Sequence, residues 1–473
     1  MIQRFALNIN FKKMKNFLLL HLLFVTITLH AQFGPQQIIS NDAAVARSVY
    51  AADLDGDGDM DVLSASEGDD KVAWYENLDG LGTFGAQQLI TANLHAAIDV
   101  FTADLDGDGD MDVLAASKGY NINDGSIVWY ENLDGLGGVS SQRIISTLTN
   151  GAISVSAIDL DGDGDLDVLS ASFSDNKVAW YENTDGLGNF GPQQIISNTA
   201  SSVREAYAAD LDGDGDMDVL AAEAAEDKVL WFENTDGLGT FGPEQVITTN
   251  VNGILSVYAI DIDGDDDMDV LSASPSDDKV AWYENVDGQG TFGTQQIISN
   301  TADAVRSISS VDVDNDGDMD VLCAMSGINT IAWFENMDSL GTFSTLQTIS
   351  NQTENLRSVY STDIDNDGDM DVLSASSLDF KIAWYENLTI LSTNDFSIVP
   401  ITIHPNPVKD ILRIDNTSTT KIEAIKIYDV FGRLILQEKE QLNNIDVSSL
   451  KSGLLFVQLF TKKGNITKKV VKK

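Results

Sequence analysis

The run DLDGDGDMD at residues 53–61 is followed by WYEN at residues 74–77, and Trp74 lies 21 residues after Asp53. Close copies of the run begin at Asp104, Asp159, Asp210, Asp261, Asp312 and Asp363, at steps of 51, 55, 51, 51, 51 and 51 residues. The tryptophan recurs as Trp129, Trp180, Trp231, Trp282, Trp333 and Trp384, so all seven tryptophans of the chain belong to the repeat. The aspartate-to-tryptophan distance is 21 in six copies and 25 in the second. That unit therefore carries a four-residue insertion near Tyr120–Asp124.

Each unit reads as four short strands. One leads into the aspartates (RSVYAAD), one leaves them (DVLSAS), one carries the tryptophan (KVAWYEN) and one follows a Gly-rich turn (FGPQQIIS). In the third, Val72 and Trp74 alternate with Ala73 and Tyr75, the period of a strand. Four strands at a period near 50, repeated seven times, predict an all-β, seven-bladed β-propeller over residues 32–391. A linear solenoid would require distinct capping repeats. The Gly-rich turn is missing after Trp384, while a spare FGPQQIIS strand stands at Phe33–Ser40. The N-terminal strand is thus expected to complete the last blade, with residues 35–40 pairing near 381–387, which would hide an edge.

The 473 residues hold 74 acids and 28 bases, a net charge of −46. Residues 1–31 carry +4 and residues 392–473 carry +5, whereas 32–391 hold 66 acids and 11 bases, or −55. That balance argues against nucleic acid and against an anionic membrane surface. Neutral, cationic or Ca²⁺-bridged ligands suit the remaining surface better. Cys323 is the single cysteine and cannot form an internal disulfide. Residues 17–29 form an apolar run behind Lys12, Lys13 and Lys15, and Ala31 suits a cleavage point. Residues 1–31 are read as a secretory signal peptide, with no transmembrane segment expected in the mature chain.

The acidity concentrates in the repeated loops. The first supplies Asp53, Asp55, Asp57, Asp59 and Asp61; the second Asp104, Asp106, Asp108, Asp110 and Asp112; the third Asp159, Asp161, Asp163, Asp165 and Asp167. The fourth supplies Asp210, Asp212, Asp214, Asp216 and Asp218; the fifth Asp261, Asp263, Asp265, Asp267 and Asp269. The sixth supplies Asp312, Asp314, Asp316, Asp318 and Asp320, and the seventh Asp363, Asp365, Asp367, Asp369 and Asp371. Alternate carboxylates in a tight loop converge on one point, and hard oxygen ligands in a flexible loop suit Ca²⁺. No His or Cys recurs beside the loops, which argues against zinc or copper. An EF-hand needs an acid at position twelve, where Ser64, Ala115, Ser170, Ala221, Ser272, Cys323 and Ser374 stand. Up to seven structural Ca²⁺ ions are expected.

The aspartate run and the Thr83-Phe84-Gly85 turn resemble FG-GAP or VCBS repeats, found in integrin α-subunit propellers and bacterial surface proteins. The resemblance implies side-chain ligands at positions one, three, five and nine, and a backbone carbonyl at position seven. Asp266 replaces the glycine at position six in the fifth copy, and a weaker site is expected there. Near the C-terminus, IHPNPVKDILRI (403–414), IKIYDVFGRLIL (425–436) and DVSSLKSGLLFVQL (446–459) precede a basic end. They resemble the type A C-terminal sorting domain of the type IX secretion system, with Leu455 where relatives often carry Tyr. This implies a small β-sandwich at 403–473 after a linker at 392–402, recognised by that secretion machinery. It also implies residence on the outer surface of a Bacteroidetes-type bacterium.

Aspartate loops and Gly-rich turns fall on one face and are nearly uniform. The loops of the other face vary: Glu67–Asp70, Lys118–Gly125, Phe173–Asn176, Glu223–Asp227, Pro275–Asp278, Gly327–Asn329 and Leu378–Phe380. Variation marks that face as the candidate binding surface, with Tyr120 in the insertion as first choice. The tryptophans are read as core, with sugar-stacking platforms as the alternative. Catalytic sites break symmetry, and the propeller holds one histidine, His95, with no nucleophile motif. No catalytic residue is assigned. A monomeric, surface-held, Ca²⁺-binding module for adhesion, or for glycan or protein capture, is expected. The alternatives are a lectin with inter-blade sugar sites and a polysaccharide lyase using Tyr120 with Lys118.

Overall fold

The computed structural model describes residues 32–389, 401–416, 422–428, 433–439, 442–451, 453–461 and 464–473. The expected signal peptide and most of the expected linker lie outside the described residues. The chain divides into a unit ending at Ile390 and a unit from Leu391 to Lys473.

The first unit contains seven four-stranded antiparallel sheets. Blade 1 consists of Ala46–Ala52, Asp61–Ser66, Lys71–Tyr75 and Gln88–Thr91, in sequence order. Every residue of Asp61–Ser66 is buried, as are the last four of Lys71–Tyr75. Both faces of these central strands are covered because blades stack on one another. Val72 and Trp74 join Val100, Val113 and Tyr130 of blade 2 in one core. Ala73 and Tyr75 join Leu373, Ile382 and Trp384 of blade 7 in the next. The two-residue strand period thus feeds two separate inter-blade cores from a single strand.

The first strands of successive blades touch around a closed ring, and that of blade 7 returns to that of blade 1. Closure is as expected from the spare strand. Gln37–Ser40 pairs with Lys381–Tyr385, placing Gln37 opposite Trp384 and Ile38 opposite Ala383. Phe33 bridges Asn387 beyond that pairing. Phe33 also joins the core containing Trp333, at the one blade boundary that has no Gly-rich turn.

The second unit is a pair of sheets. One holds Ile401–His404, Ile411–Asn416 and Asn444–Asp446; the other holds Leu434–Glu438, Ile422–Tyr428, Gly453–Thr461 and Gly464–Lys472. Leu412, Ile425, Ile427, Val457 and Leu459 are fully buried between them. Burying each such side chain stabilises by roughly 1.5–3 kcal/mol. Leu455 is also buried in this core. The strand starting at Ile401 takes up the last two residues of the expected linker.

Candidate metal centres and the opposite face

Each aspartate loop joins the first and second strands of its blade. Backbone N–H groups shape it: in blade 1, Gly58 donates to Asp53 at 3.0 Å and Asp59 to Asp57 at 3.0 Å. Carboxylates at positions one, three and five converge as Asp53/Asp55/Asp57, Asp104/Asp106/Asp108 and Asp261/Asp263/Asp265. Positions one, three and nine converge as Asp159/Asp161/Asp167 and Asp210/Asp212/Asp218. Within each group the ligand atoms lie within 4.8 Å of one another.

These groups fit a bound cation. Oδ1 of Asp53, Asp106, Asp263 and Asp365 is buried and accepts no hydrogen bond. Burial, then the neighbouring position-five carboxylate, raises the pKa of all seven position-three aspartates, Asp263 and Asp314 to about 6. Buried carboxylates that repel one another need a counter-charge. Position nine is more deeply committed. Asp61 accepts the Leu54 N–H at 3.2 Å and the Asn77 N–H at 2.8 Å, yet burial pushes it up to about 7.

The position-seven side chains are placed differently from the others of the loop. The side chains of Asp59, Asp110, Asp165, Asp216 and Asp267 lie against glycines of their own blade's Gly-rich turn, Gly80, Gly135, Gly186, Gly237 and Gly288. Asp318 accepts a hydrogen bond from Ser339 at the equivalent place. These six carboxylates face the turn, whereas Asp369 of the seventh loop, whose blade lacks that turn, has both carboxylate oxygens buried without a hydrogen-bond partner. Asp266 adopts φ +72° where its counterpart Gly58 has +98°, and its N–H still reaches Asp261 at 3.0 Å.

The asparagine of the WYEN motif joins blade to blade. Asn183 Nδ2 donates to Leu105 O, inside the preceding blade's aspartate loop, at 2.8 Å, and its N–H donates to Asp167 at 2.8 Å. The tryptophans are core, between 1% and 4% exposed. Trp74 lies against Gly137 of the next blade's turn, where an added Cβ would come within 2.5 Å of the ring. The ring faces proposed as sugar platforms are therefore already covered.

On the other face, the insertion does not stand free. Tyr120 Oη donates to Asp70 at 2.6 Å and to Glu67 O at 3.1 Å, so the loop is docked on blade 1. Lys118 pairs with Glu67 at 3.2 Å, and His95 with Asp124 at 3.3 Å. Reading the sequence passed over Arg47, Arg204, Arg306 and Arg357, which line a cavity on the propeller axis. Their signal was present: an arginine at the same place in ARSVY, VREAY, VRSIS and LRSVY.

Six stretches, residues 53–115, 119–170, 159–221, 210–272, 261–323 and 312–374, match the FG-GAP-like repeat. The chain belongs to the FG-GAP repeat family. Residues 402–473 of this FG-GAP protein match the secretion system C-terminal sorting domain. It is thus a propeller fused to a type IX sorting domain, delivered by that machinery to the surface of a Bacteroidetes-type bacterium. Among the described residues, no helix is long and apolar enough to cross a membrane. No curated relative matches the chain. Among solved structures it is similar to BBS1N in complex with ARL6DN, soaked with mercury or with lead. The TM-scores are 0.52 and 0.51, at 11% identity, over 75% of this chain and 96% of that one. That likeness is one of fold. PorZ, a bacterial surface component of the type-IX secretion system of Porphyromonas gingivalis, is similar at a TM-score of 0.46 and 14% identity. That match spans 92% of this chain and 60% of the other.

Proposed function

We propose that this FG-GAP protein is a monomeric, Ca²⁺-clamped binding module that captures a glycan or protein ligand on the face opposite its aspartate loops. One observation carries the reading. The loop face repeats the same contacts from blade to blade, as Asn183 and its counterparts do, whereas the opposite face differs between blades. Repetition serves the scaffold and difference serves recognition.

Ca²⁺ suits the loops because every candidate ligand is a hard oxygen and the loop is short and flexible. Side chains at positions one, three, five and nine and the carbonyl at seven would hold it. When bound, the ion supplies the positive charge that the converging carboxylates lack. No catalytic role is assigned. The Tyr120 phenol is pushed up to about 12, first by its hydrogen bond to the Asp70 carboxylate, away from what a general base at neutral pH requires. A glycan and protein array at millimolar Ca²⁺, with and without chelator, tests the reading. Binding that disappears with chelator supports it. Absence of any ligand, or ultraviolet-absorbing unsaturated products from polyuronates, would overturn it.

A further inference from the structure

A cavity of about 300 Å³ lies on the propeller axis at the end away from the aspartate loops. Residues at the start of all seven first strands line it. At the outermost of these positions four blades carry arginine, Arg47, Arg204, Arg306 and Arg357, and the other three carry aliphatic residues. Four guanidinium groups therefore share one rim in a region whose net charge is −55.

Their pairing is incomplete. Arg47 is bonded to Glu67, which also takes Lys118. Among the described residues, Arg204, Arg306 and Arg357 form no ion pair. Arg306 Nε donates to Ser326 Oγ at 2.8 Å and Arg357 Nε to Ser377 Oγ at 3.2 Å. Those bonds hold the guanidinium groups, and among the described residues no hydrogen bond from their terminal amino groups is found. Arg204 sits 4.0 Å above the Phe173 ring, with Nε buried and unpartnered. Burial first, then neighbouring arginines, lowers the pKa of all three, Arg357 to about 10. The rim charges thus act on one another across the cavity.

Two acids also line the cavity. Asp99 accepts the Val155 N–H at 3.0 Å, and Glu205 accepts the Val257 N–H at 2.8 Å. Each carboxylate is committed to the backbone of the next blade. Burial pushes them up to about 6 and about 7, so at pH 7.5 they set at most two negative charges against the four arginines. Uncompensated positive charge in a confined, partly desolvated cavity is costly unless an anion joins it.

We propose that this arginine-rimmed cup binds an oxyanion group, a carboxylate, sulfate or phosphate monoester, carried by the ligand captured on the variable face. Planar guanidinium forks match the paired oxygens of such groups better than an ammonium does. The cup rests on reading that face as the binding surface, but the two can fail separately. It also departs from the expectation from net charge alone, since four arginines gather at the axis of an otherwise acidic propeller.

The test is calorimetric titration of the mature chain at pH 7.5 with sodium sulfate, sodium acetate, glucuronate and glucose 6-sulfate. Sodium chloride at matched ionic strength and glucose serve as controls. Saturable binding of at least one oxyanion is expected, with none for chloride or glucose. Tighter binding of the sugar-borne group than of the free ion identifies a glycan source, and the reverse order a free ion. R306Q/R357Q is expected to weaken binding at least tenfold without lowering Tm. If that variant fails to fold, R306K/R357K keeps the charge and is expected to lose several-fold. No saturable binding by the unaltered protein, or undiminished binding by these variants, would overturn the cup. An array ligand whose binding survives R306Q/R357Q would keep the face and reject the cup. Sulfate binding without any array ligand would keep the cup and reject the capture reading.

Discussion

Asn77 Nδ2 donates to the backbone carbonyl of Ile364 at 2.9 Å, joining blade 1 to blade 7 across 287 residues of chain. Ile364 is the second residue of the last aspartate loop. The backbone N–H of Asn77 meanwhile donates to Asp61, the ninth residue of its own loop, at 2.8 Å. One side chain and its backbone therefore link two neighbouring loops, and the same arrangement runs through Asn132, Asn183, Asn234, Asn285, Asn336 and Asn387. The loops form a cyclic network, so a change in one is felt by the next blade.

Asn183→Ala leaves the Leu105 carbonyl buried without its donor. A destabilisation of about 1–3 kcal/mol is expected, the cost of an unsatisfied buried group. Urea unfolding followed by tryptophan fluorescence reads it. An unchanged midpoint would mean that water replaces the amide at no cost.

Gly137→Ala forces a methyl against Trp74 at a residue with φ +76°. Overpacking and the left-handed backbone together predict a loss of about 2 kcal/mol or more. Gly58→Ala, where nothing lies within 4 Å of the new Cβ, carries only the backbone part and should cost less. Equal losses in the two variants would show that the tryptophan contact contributes nothing.

Chelation is expected to lower Tm by many degrees, since a site at 100-fold saturation adds about 2.7 kcal/mol. Asp161→Asn, within a converging group, should reduce the bound Ca²⁺ by one equivalent in a metal titration. Asp266→Gly relieves the strained position of the fifth loop and should raise stability by about 1 kcal/mol. A melting curve indifferent to EDTA would remove Ca²⁺ from the account.

Glu205 gives a pH dependence. Burial raises its pKa to about 7, so the folded state holds a proton that the unfolded chain releases near its ordinary value. Stability from this group is therefore full below the unfolded pKa of about 4.3 and falls as pH rises towards 7. Glu205→Gln should flatten that slope and raise stability more at pH 8 than at pH 5, by on the order of 2 kcal/mol. A slope that persists in the variant would assign it elsewhere.

Deleting residues 33–40 removes the strand opposite Trp384 and the Phe33 contact with the Trp333 core. The exposed edge of Lys381–Tyr385 is then open to a second chain, and self-association by size-exclusion chromatography is expected. A monodisperse monomer with unchanged Tm would mean that the ring closes without this strand.

The sequence by itself determined the repeat, its strand count and its closure. Those follow from local patterns: the spacing of Asp53 from Trp74, the alternation in KVAWY, and a spare strand at the N-terminus. It also placed the aspartate loops, because a metal site built within one loop is encoded by consecutive residues. Only the tertiary structure decided what depends on neighbouring blades. It turned the Asp59 side chain towards Gly80, covered the tryptophan faces with the next blade's turn, and docked Tyr120 on Asp70. It also gathered Arg47, Arg204, Arg306 and Arg357, up to 310 residues apart in number, around one axis. A ring converts a recurring sequence position into a circle of side chains. The charge of that circle is fixed by geometry and cannot be read from the acidic composition that surrounds it.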